Sequence, residues 1–295
     1  MKTQDLNPPC PECGGRVRKP DGRCAMCGAP PPGQEPPEDP LLNRMVADRF
    51  RVEKIIGAGG VGRVYRACQV ELDRPVALKV LHPTLASSAE QKGRFHREAQ
   101  AASRLSHANS VIVYDYGEWE GQLYIAMEFL SGRTLATVLD AEYPLGDERV
   151  VDLLAQAADV VGVAHEAGVL HRDLKPENIM VLNDARGDEQ IKVVDFGLAS
   201  LQETPNMPKL TQEGMVSGTP AYMSPEQCRG KDMEPRSDVY ALGVVLYEML
   251  TGEVPFTAES PTEVLVQHLF NPPRPPSEVV QGEPVHPGLE RVALQ

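Results

Sequence analysis

The sequence lacks the features that mark several common protein classes. No apolar run reaches the roughly 20 residues of a membrane span, because the most apolar helix candidate, at 239–250, is about a dozen residues long and contains Glu248. No internal repeat is visible, and basic residues are few: 29 Lys and Arg stand against 42 Asp and Glu, for a net charge of −13. This composition predicts a globular protein with no membrane segment, and it disfavours binding to nucleic-acid phosphates.

The start of the chain also lacks the apolar stretch of an export signal, so the cytoplasm is the expected compartment. The first 29 residues instead hold four of the six cysteines, in two Cys-x-x-Cys-Gly turns. Thiolates at this spacing favour one tetrahedral Zn²⁺ site in a short zinc ribbon that mediates contacts. Two disulfides, or a redox-active Cys-x-x-Cys pair, are the alternatives. The predicted zinc ligands are Cys10, Cys13, Cys24 and Cys27.

A proline-rich segment follows the cysteines and is predicted to be a semi-stiff linker at 30–48. Beyond it, short β-type segments bounded by turn residues predict an antiparallel sheet. Ser88 with Gln91 offers a capping box for a helix that reaches Arg104. The predicted strands are 50–56, 62–70, 75–81, 110–118 and 122–129.

Helical patterns dominate after Gly132. A long helix is predicted at 148–167, with Asp147 as its N-cap. A second helix is predicted at 238–251. The predicted buried face of the first comprises Val151, Leu154, Ala158 and Val161.

A glycine-rich turn lies between the first two predicted strands, where residues 57–64 read GAGGVGRV. Glycines let the backbone approach anionic oxygens and supply amide donors to them. The dinucleotide fingerprint leads from a strand into a helix, whereas this segment leads into a strand, so it predicts a hairpin over nucleotide phosphates. A glycine-rich turn without a ligand is the alternative. The candidate residues are Gly57, Ala58, Gly59, Gly60, Val61 and Gly62.

Lys79 lies among apolar residues in the third predicted strand. A buried ammonium needs an anionic partner, and Glu98 on the following helix is the candidate. Lys79 would then bind the α- and β-phosphates. The alternative is a solvated charge at a strand edge.

Two further motifs make a family resemblance specific. Residues 171–178 read HRDLKPEN, and residues 195–197 read DFG. On these motifs the chain, over about residues 50–295, resembles the protein kinases. The FHRE sequence at 95–98 and the long apolar helix after Asp238 make it similar to the bacterial Hanks-type serine/threonine group. The resemblance implies an α+β fold with two lobes: a small antiparallel β lobe at 49–130 and a larger helical lobe at 131–295, after the zinc ribbon at 1–29.

The resemblance also implies roles in ATP-dependent phosphoryl transfer. Asp173 would accept the proton of the substrate hydroxyl, and Lys175 would stabilise the γ-phosphate. Asp195 and Asn178 would hold Mg²⁺, for which Mn²⁺ could substitute. Lysine at position 175 is the form seen in kinases that act on serine and threonine. The alternative reading is that these residues are capped turns and solvated charges.

By the same resemblance, one set of residues encloses adenine, with Met127 as gatekeeper, although ordinary core packing would also explain them. This set comprises Val64, Ala77, Met127, Glu128, Leu130 and Met180. Arg172 is expected to pair with a phosphorylated residue on the activation segment, unless that segment is permanently ordered. The candidate phosphosites are Thr204, Thr211, Ser217 and Thr219.

Residues 218–226 resemble the peptide-docking loop of the family, with Ser224 in place of the more usual alanine, a change that we expect to be tolerated. Asp238 matches the aspartate that braces the catalytic loop, or it is a plain helix N-cap. The family continues beyond 289–295 with a helix whose arginine pairs with the residue matching Glu226. We therefore expect incomplete C-terminal helices and a fragment of a longer protein.

Together these motifs predict a serine/threonine protein kinase in signal transduction. Its partners would be protein substrates and, through self-association for autophosphorylation, other copies of the chain. The alternative is a catalytically impaired nucleotide-binding or zinc-ribbon interaction module, which the incomplete large lobe favours.

Overall fold

The computed structural model describes residues 39–183, 186–197, 219–280 and 284–295. The chain divides into two compact units. The small unit comprises residues 39–96 and Val113–Phe129, and the large unit comprises Arg97–Ile112 together with the described residues from Leu130 onward. The first is mostly sheet and the second mostly helix, as the predicted α+β class requires.

An antiparallel sheet of six strands forms the small unit, in the order β1-β2-β3-β4-β6-β5. Its strands are β1 (Met45–Val46), β2 (Phe50–Ala58), β3 (Gly62–Gln69), β4 (Arg74–Leu81), β5 (Val113–Trp119) and β6 (Gln122–Glu128). The predicted antiparallel sheet is confirmed. The strand predicted to start at residue 110 starts at Val113 instead, because Ser110 forms an isolated bridge with Val193 in the large unit.

Residues that precede β2 cover one face of this sheet. Leu41 and Val46 are buried together with Phe50, Val52 and Tyr65 in one apolar cluster. Leu41 lies in the stretch predicted as linker; the described part of that stretch, 39–48, packs against the sheet and also supplies its strand β1, so it does not act as a spacer there.

Helix α1 (Ala89–Arg104) begins where the capping pattern predicts, because the backbone amide of Gln91 donates to Ser88 Oγ at 3.1 Å. Within the small unit, Phe95 of this helix is fully buried, and its ring lies edge-on to Tyr116, with the centroids 6.3 Å apart.

Seven further helices and a three-stranded sheet are described in the large unit. The helices are α2 (Leu135–Glu142), α3 (Asp147–Glu166), α4 (Pro225–Cys228), α5 (Pro235–Thr251), α6 (Pro261–Phe270), α7 (Pro276–Val279) and α8 (Pro287–Ala293). The sheet contains β7 (Arg133–Thr134), β8 (Ile179–Asn183) and β9 (Glu189–Val193), all antiparallel. In the described ranges, no helix combines the length and the apolar character needed to cross a bilayer.

Helix α3 corrects two predictions. Its N-cap is Gly146, and Asp147 is the first helical residue, where a carboxylate favours the positive end of the helix dipole. Most of the buried face lies one residue earlier than predicted: Val151 and Ala158 are exposed and Leu154 is half-buried, whereas Val161 is buried as predicted. Apolar residues occur in both registers, and packing against α5 and β9 selects between them. The buried residues are Val150, Leu153, Ala157, Val160, Val161 and Ala164.

Helix α5 begins earlier than predicted and is largely buried. Its N-cap is Glu234, which forms a capping box with Ser237, so the alternative reading of Asp238 as the N-cap is wrong. The Ser237 hydroxyl also donates to Glu226, the residue whose family partner is an arginine. Gly252 ends the helix in the left-handed region, at φ 77°.

Candidate active site

The catalytic loop predicted at 171–178 lies in the large unit and brings three predicted residues together. Lys175 Nζ lies 2.8 Å from Asp173 Oδ2. The Asn178 amide donates through Nδ2 to the Asp173 carbonyl at 2.7 Å. Residues 176–178 form a short 3₁₀ turn that leads into β8 and fixes the direction of Asn178. An acid, an ammonium and an amide therefore converge on one surface of the loop.

The segment that contains Asp195 runs beside this loop. Val194 donates its amide to the Asn178 carbonyl at 2.9 Å, and its own carbonyl lies 2.8 Å from His171 Nε2. His171 is fully buried, and its ring packs edge-on against Phe196, with the centroids 4.9 Å apart. His171 is therefore a packed structural residue of the catalytic loop.

Asp238 braces the catalytic loop from α5. Its carboxylate is 2% exposed and accepts the backbone amides of His171 and Arg172, each at 2.8 Å. His165 Nε2 lies 2.8 Å from the same carboxylate. Burial alone would raise the pKa of Asp238, but the hydrogen bond from His165, the charge of His171 and the two backbone amides outweigh it and hold the pKa below its ordinary value. The carboxylate therefore stays ionised and keeps both amides in place.

Two residues of the motifs adopt backbone conformations that non-glycine residues rarely adopt. Arg172 has φ 73° and Asp195 has φ 66°. Such conformations cost roughly 1–3 kcal/mol each and persist only where surrounding contacts enforce them. At Arg172 the enforcing contact is the hydrogen bond from its amide to Asp238.

Glu98, predicted to be the partner of Lys79, contacts the catalytic loop within the large unit. Its Oε1 lies 3.2 Å from Arg172 Nη1. Its Oε2 lies 3.0 Å from the position that a Cβ would take at Gly197, which has φ 73°. The Arg172 side chain is partly buried, and among the described residues its buried Nε has no hydrogen-bond partner. The pair of Glu98 with Lys79 joins the two units and stays a prediction.

The peptide-docking loop is attached to the catalytic loop by side chains. Lys175 Nζ donates to Thr219 Oγ1 at 2.8 Å. Gln227 Nε2 donates to the Arg172 carbonyl at 3.1 Å. Ser224 and Gln227 form a complete capping box at the start of α4. Serine in place of the usual alanine is therefore not only tolerated but caps the helix. Sequence reasoning missed Gln227, although Ser-x-x-Gln is a recognisable capping signature.

Tyr222 anchors the middle of the docking loop to α5. Its hydroxyl donates to Glu248 Oε2 at 2.6 Å. Burial raises the pKa of Glu248; the hydroxyl lowers it in part, and the nearby charges of Glu177 and Asp140 raise it further. The loop is therefore fixed by a donor on one side and by a partly desolvated acid on the other.

The oxygen donors in this loop fit the metal that the resemblance implies. Mg²⁺ prefers carboxylate, amide and phosphate oxygens. Because Asn178 Nδ2 is used by the Asp173 carbonyl, the amide oxygen is the atom left for a metal. Across the described ranges, no group of three or more His, Cys, Asp and Glu side chains could hold a metal on its own, so phosphate oxygens would have to complete the set.

In the small unit, the glycine-rich segment forms a closed hairpin between β2 and β3. Gly59 and Gly62 exchange backbone hydrogen bonds of 2.9 and 3.3 Å. A Cβ at Gly62 would lie 2.2 Å from the Val80 carbonyl oxygen, whereas a Cβ at Gly59 would have no atom within 4 Å. Backbone packing thus requires glycine at position 62, whereas the space that a side chain would occupy at position 59 is open.

The remaining small-unit candidates lie on β3, β4 and β6. Val64 pairs with Lys79 in the sheet register, and Ala77 pairs with Met127. Lys79 is 6% exposed, so it is buried as predicted and is not a solvated edge charge. These residues are neighbours across adjacent strands, as an adenine pocket and a phosphate-binding lysine would require.

Several candidates lie outside the described residues. They are the zinc ligands Cys10, Cys13, Cys24 and Cys27 and the phosphosites Thr204, Thr211 and Ser217. The predicted roles of Lys79, Asp173 and Asp195 toward one ATP would join the two units, and they likewise stay predictions.

Comparisons with known proteins agree with these motifs. The protein kinase domain family matches residues 50–276. The chain is 46% identical over 262 residues to serine/threonine-protein kinase pkn3 of Myxococcus xanthus, covering 88% of this chain and 48% of that protein. It is 42% identical over 255 residues to PknB of Mycolicibacterium smegmatis, covering 85% of this chain and 40% of that protein.

A solved structure gives the same result. The crystal structure of the Mycobacterium tuberculosis PknI kinase domain matches with a TM-score of 0.63 at 27% identity, covering 85% of this chain and 86% of that one. The chain spans about half, or less, of the length of the curated relatives that it matches. With its family match over most of its length, the chain belongs to the protein kinase family, in the serine/threonine group.

Proposed function

We propose that the protein transfers the γ-phosphate of ATP to serine and threonine hydroxyls of proteins, including its own. The observation that carries this proposal is the grouping of Asp173, Lys175 and Asn178 in one braced loop. A phosphoryl transferase needs little covalent chemistry from the protein and depends on positioning and charge neutralisation. Asp173 and Asn178 would supply the positioning, and Lys175 would supply the positive charge.

In this proposal Asp173 orients the substrate hydroxyl and accepts its proton. The hydroxyl oxygen then bonds to the γ-phosphorus while the bond to the β,γ-bridging oxygen breaks, so ADP leaves with that electron pair. Lys175, which lies 2.8 Å from both Asp173 Oδ2 and Thr219 Oγ1, is well placed to stabilise the transferred phosphoryl group.

Asn178 and Asp195 would hold Mg²⁺, or Mn²⁺, through their oxygens. When bound, the metal would neutralise charge on the triphosphate. In the small unit, residues 57–62 would supply amide donors to the phosphates, and Lys79 would add one positive charge. Adenine would contact the apolar set that includes Val64, Ala77, Met127, Leu130 and Met180, with backbone bonds at Glu128.

For regulation, we propose that a phosphate on the activation segment competes with Glu98 for Arg172. The guanidinium lies 3.2 Å from that carboxylate, and a phosphate carries more charge and more acceptors than a carboxylate. The candidate phosphosites are Thr204, Thr211, Ser217 and Thr219. Self-association for autophosphorylation would supply the phosphate in signal transduction.

At the N-terminus we propose a single Zn²⁺ bound by Cys10, Cys13, Cys24 and Cys27, in a contact-making ribbon. The support is the Cys-x-x-Cys-Gly spacing, and thiolate ligands together with ATP as substrate favour the cytoplasm. The net charge of −13 supports protein partners over nucleic acids. A Cys13→Ser/Cys27→Ser variant should lose bound zinc, measured by atomic absorption, while Cys228→Ser retains it. Zinc-free protein with paired cysteines would contradict the proposal.

One assay tests the kinase activity. The purified chain is incubated with labelled ATP, Mg²⁺ and a generic basic protein substrate, beside Asp173→Asn and a matched control, Asp152→Asn, on the exposed face of α3. Asp173→Asn should lower incorporation by a factor on the order of 100–10,000, the usual range for losing a general base. Equal incorporation in all three would end the proposal. A nucleotide-dependent rise in Tm without transfer would support the noncatalytic binding module instead.

A further inference from the structure

A buried carboxylate lies just before the matched family region and has no role in the proposal so far. Asp39 precedes residue 50, where the family match begins, and its side chain is 2% exposed. The carboxylate accepts the backbone amide of Leu41 at 2.9 Å and the hydroxyl of Tyr65 at 3.0 Å. It also forms an ion pair with Arg63 Nη1. All four residues belong to the small unit.

The two side chains that Asp39 binds lie at the base of the glycine-rich hairpin. Strand β3 starts at Gly62, so Arg63 is the residue that follows the hairpin directly. In the sheet register Arg63 pairs with Ala58 on one side and with Val80 on the other. A shift of Arg63 therefore moves both strands that carry the hairpin.

Asp39 holds this strand from one face only. Successive side chains of a strand point to opposite faces, so Arg63 and Tyr65 share a face that Val64 does not. Tyr65 is buried with Leu41 in the apolar cluster, whereas Val64 is a candidate for the adenine pocket. The contact with Asp39 thus leaves the nucleotide-binding face unobstructed.

The buried charge of Asp39 requires its contacts with Arg63 and Tyr65. A buried carboxylate is costly unless it is paired and hydrogen-bonded. Burial, followed by the charge and hydrogen bond of Asp39, raises the pKa of Tyr65 to about 12, so the phenol remains a donor at neutral pH. Arg63, which is 47% exposed, supplies the compensating positive charge.

We propose that Asp39 is a positioning residue for ATP: through Arg63 and Tyr65 it fixes the base of the glycine-rich hairpin, so that nucleotide affinity depends on a residue outside the matched kinase region. This inference rests on the proposed function, because it assigns ATP phosphates to the hairpin. The sequence alone gives no sign of it, since Asp39 follows a proline-rich run and resembles an ordinary linker residue.

The test uses steady-state kinetics of the full chain, with ATP varied at a saturating concentration of protein substrate. Asp39→Asn keeps an acceptor for Leu41 and Tyr65 but removes the charge that Arg63 compensates. We expect the KM for ATP to rise about fivefold while kcat changes less than about twofold. The matched control is Asp48→Asn, an exposed aspartate of the same segment at φ 55°, which asparagine also adopts readily. Its KM should be unchanged.

Arg63→Ala tests the same contact from the partly exposed side, and because it leaves the buried Asp39 carboxylate without its counter-charge, Tm is measured beside the kinetics. Arg63→Ala should raise the KM for ATP as Asp39→Asn does, and the double variant should be no worse than either single variant, because one interaction is removed in all three. Additive effects, or equal KM values for Asp39→Asn and Asp48→Asn, would overturn the inference. A fall in Tm and kcat with KM unchanged would show a merely structural role and would also overturn it.

The two proposals can fail separately. If the unmodified chain transfers no phosphate, the proposed activity fails, and the Kd for ATP by calorimetry still compares Asp39→Asn with Asp48→Asn. A fivefold weaker Kd only in the first would support the inference without turnover. Equal Kd values would overturn it.

Discussion

The two units fix their functional segments by different means. In the small unit, the tip of the glycine-rich hairpin is closed by its own backbone, through the bonds between Gly59 and Gly62. In the large unit, the catalytic loop is held by side chains from distant parts of the chain, chiefly Asp238 and Gln227. A turn closed by backbone requires the absence of side chains at particular positions. A loop braced by side chains requires particular functional groups far away, so substitutions in the two regions should fail in different ways.

The largest effect is expected at the brace of the large unit. Asp238→Ala leaves the buried backbone amide of His171 and the partly buried amide of Arg172 without their acceptor. An unsatisfied buried group costs about 1–3 kcal/mol, so we expect a loss of roughly 3 kcal/mol in the free energy of unfolding. The catalytic loop would also shift, and a misplacement of about 1 Å can lower kcat on the order of 100-fold. Urea unfolding and initial rates measure the two effects.

The free energy of unfolding, measured against pH, separates the contribution of the Asp238 charge from that of a neutral side chain of the same size. Because the folded-state pKa is depressed, the carboxylate stabilises the protein above its unfolded pKa of about 3.9, and this contribution is lost as the pH falls through the folded value. Asp238→Asn cannot titrate, so its free energy of unfolding should fall less steeply than that of the unmodified chain below about pH 5. Identical slopes would show that the charge contributes nothing.

An intermediate effect is expected in the small unit, from two glycines of one hairpin. Gly62→Ala places a Cβ 2.2 Å from the Val80 carbonyl oxygen and 2.8 Å from the Leu81 Cα, so the backbone must move. Such overpacking costs about 1–3 kcal/mol. Gly59→Ala meets no atom within 4 Å and should leave the unfolding free energy unchanged within about 0.5 kcal/mol. Thermal unfolding without nucleotide measures both.

In kinetics with ATP, the informative variant of the two is Gly59→Ala. Gly59→Ala, although stable, should raise the KM for ATP several-fold if phosphate oxygens approach the hairpin backbone there. A KM equal to that of the unmodified chain would place the phosphates elsewhere. A large loss of stability in Gly59→Ala would contradict the comparison itself, since the turn would then depend on more than its backbone.

Local patterns predicted the sheet and the main helices well, because their signals lie within a few neighbouring residues. The alternation of 50–56 and 75–81 falls within β2 and β4, and the Ser88 cap starts α1 as predicted. The catalytic motif likewise identified Asp173 and Asn178, because the family pattern places them five residues apart. The motif does not predict which distant side chains hold the loop in place.

The failures of prediction have long-range causes. The buried face of α3 is set by its contacts with α5 and β9, not by its own periodicity, whereas the shift of its N-cap from Asp147 to Gly146 is a local difference of one residue. Asp39 was assigned to a linker because its partners Arg63 and Tyr65 lie 24 and 26 residues away. Contacts at such separations leave no periodic trace in the sequence.

The smallest effect is expected at the capping box of α4, where side chains and backbone amides hold each other. Ser224→Ala removes the acceptor of the Gln227 amide, which should cost about 1 kcal/mol and lower Tm by roughly 2–4 °C. The matched control is Ser260→Ala, which removes the corresponding cap of α6, where the bond is exposed. Ser260→Ala should lower Tm by less and leave kcat unchanged.

The informative quantity is kcat, because Ser224 is joined through Gln227 to the Arg172 carbonyl. If the catalytic loop depends on distant side chains, Ser224→Ala should lower kcat about two- to fivefold beyond the control, because the start of α4 that carries Gln227 loses its cap while the bond from the Ser224 backbone amide to the Gln227 side chain is kept. If kcat falls no more than in Ser260→Ala, the brace would consist of Asp238 alone. In that case the large unit would rest on one buried carboxylate, as the base of the hairpin in the small unit rests on Asp39.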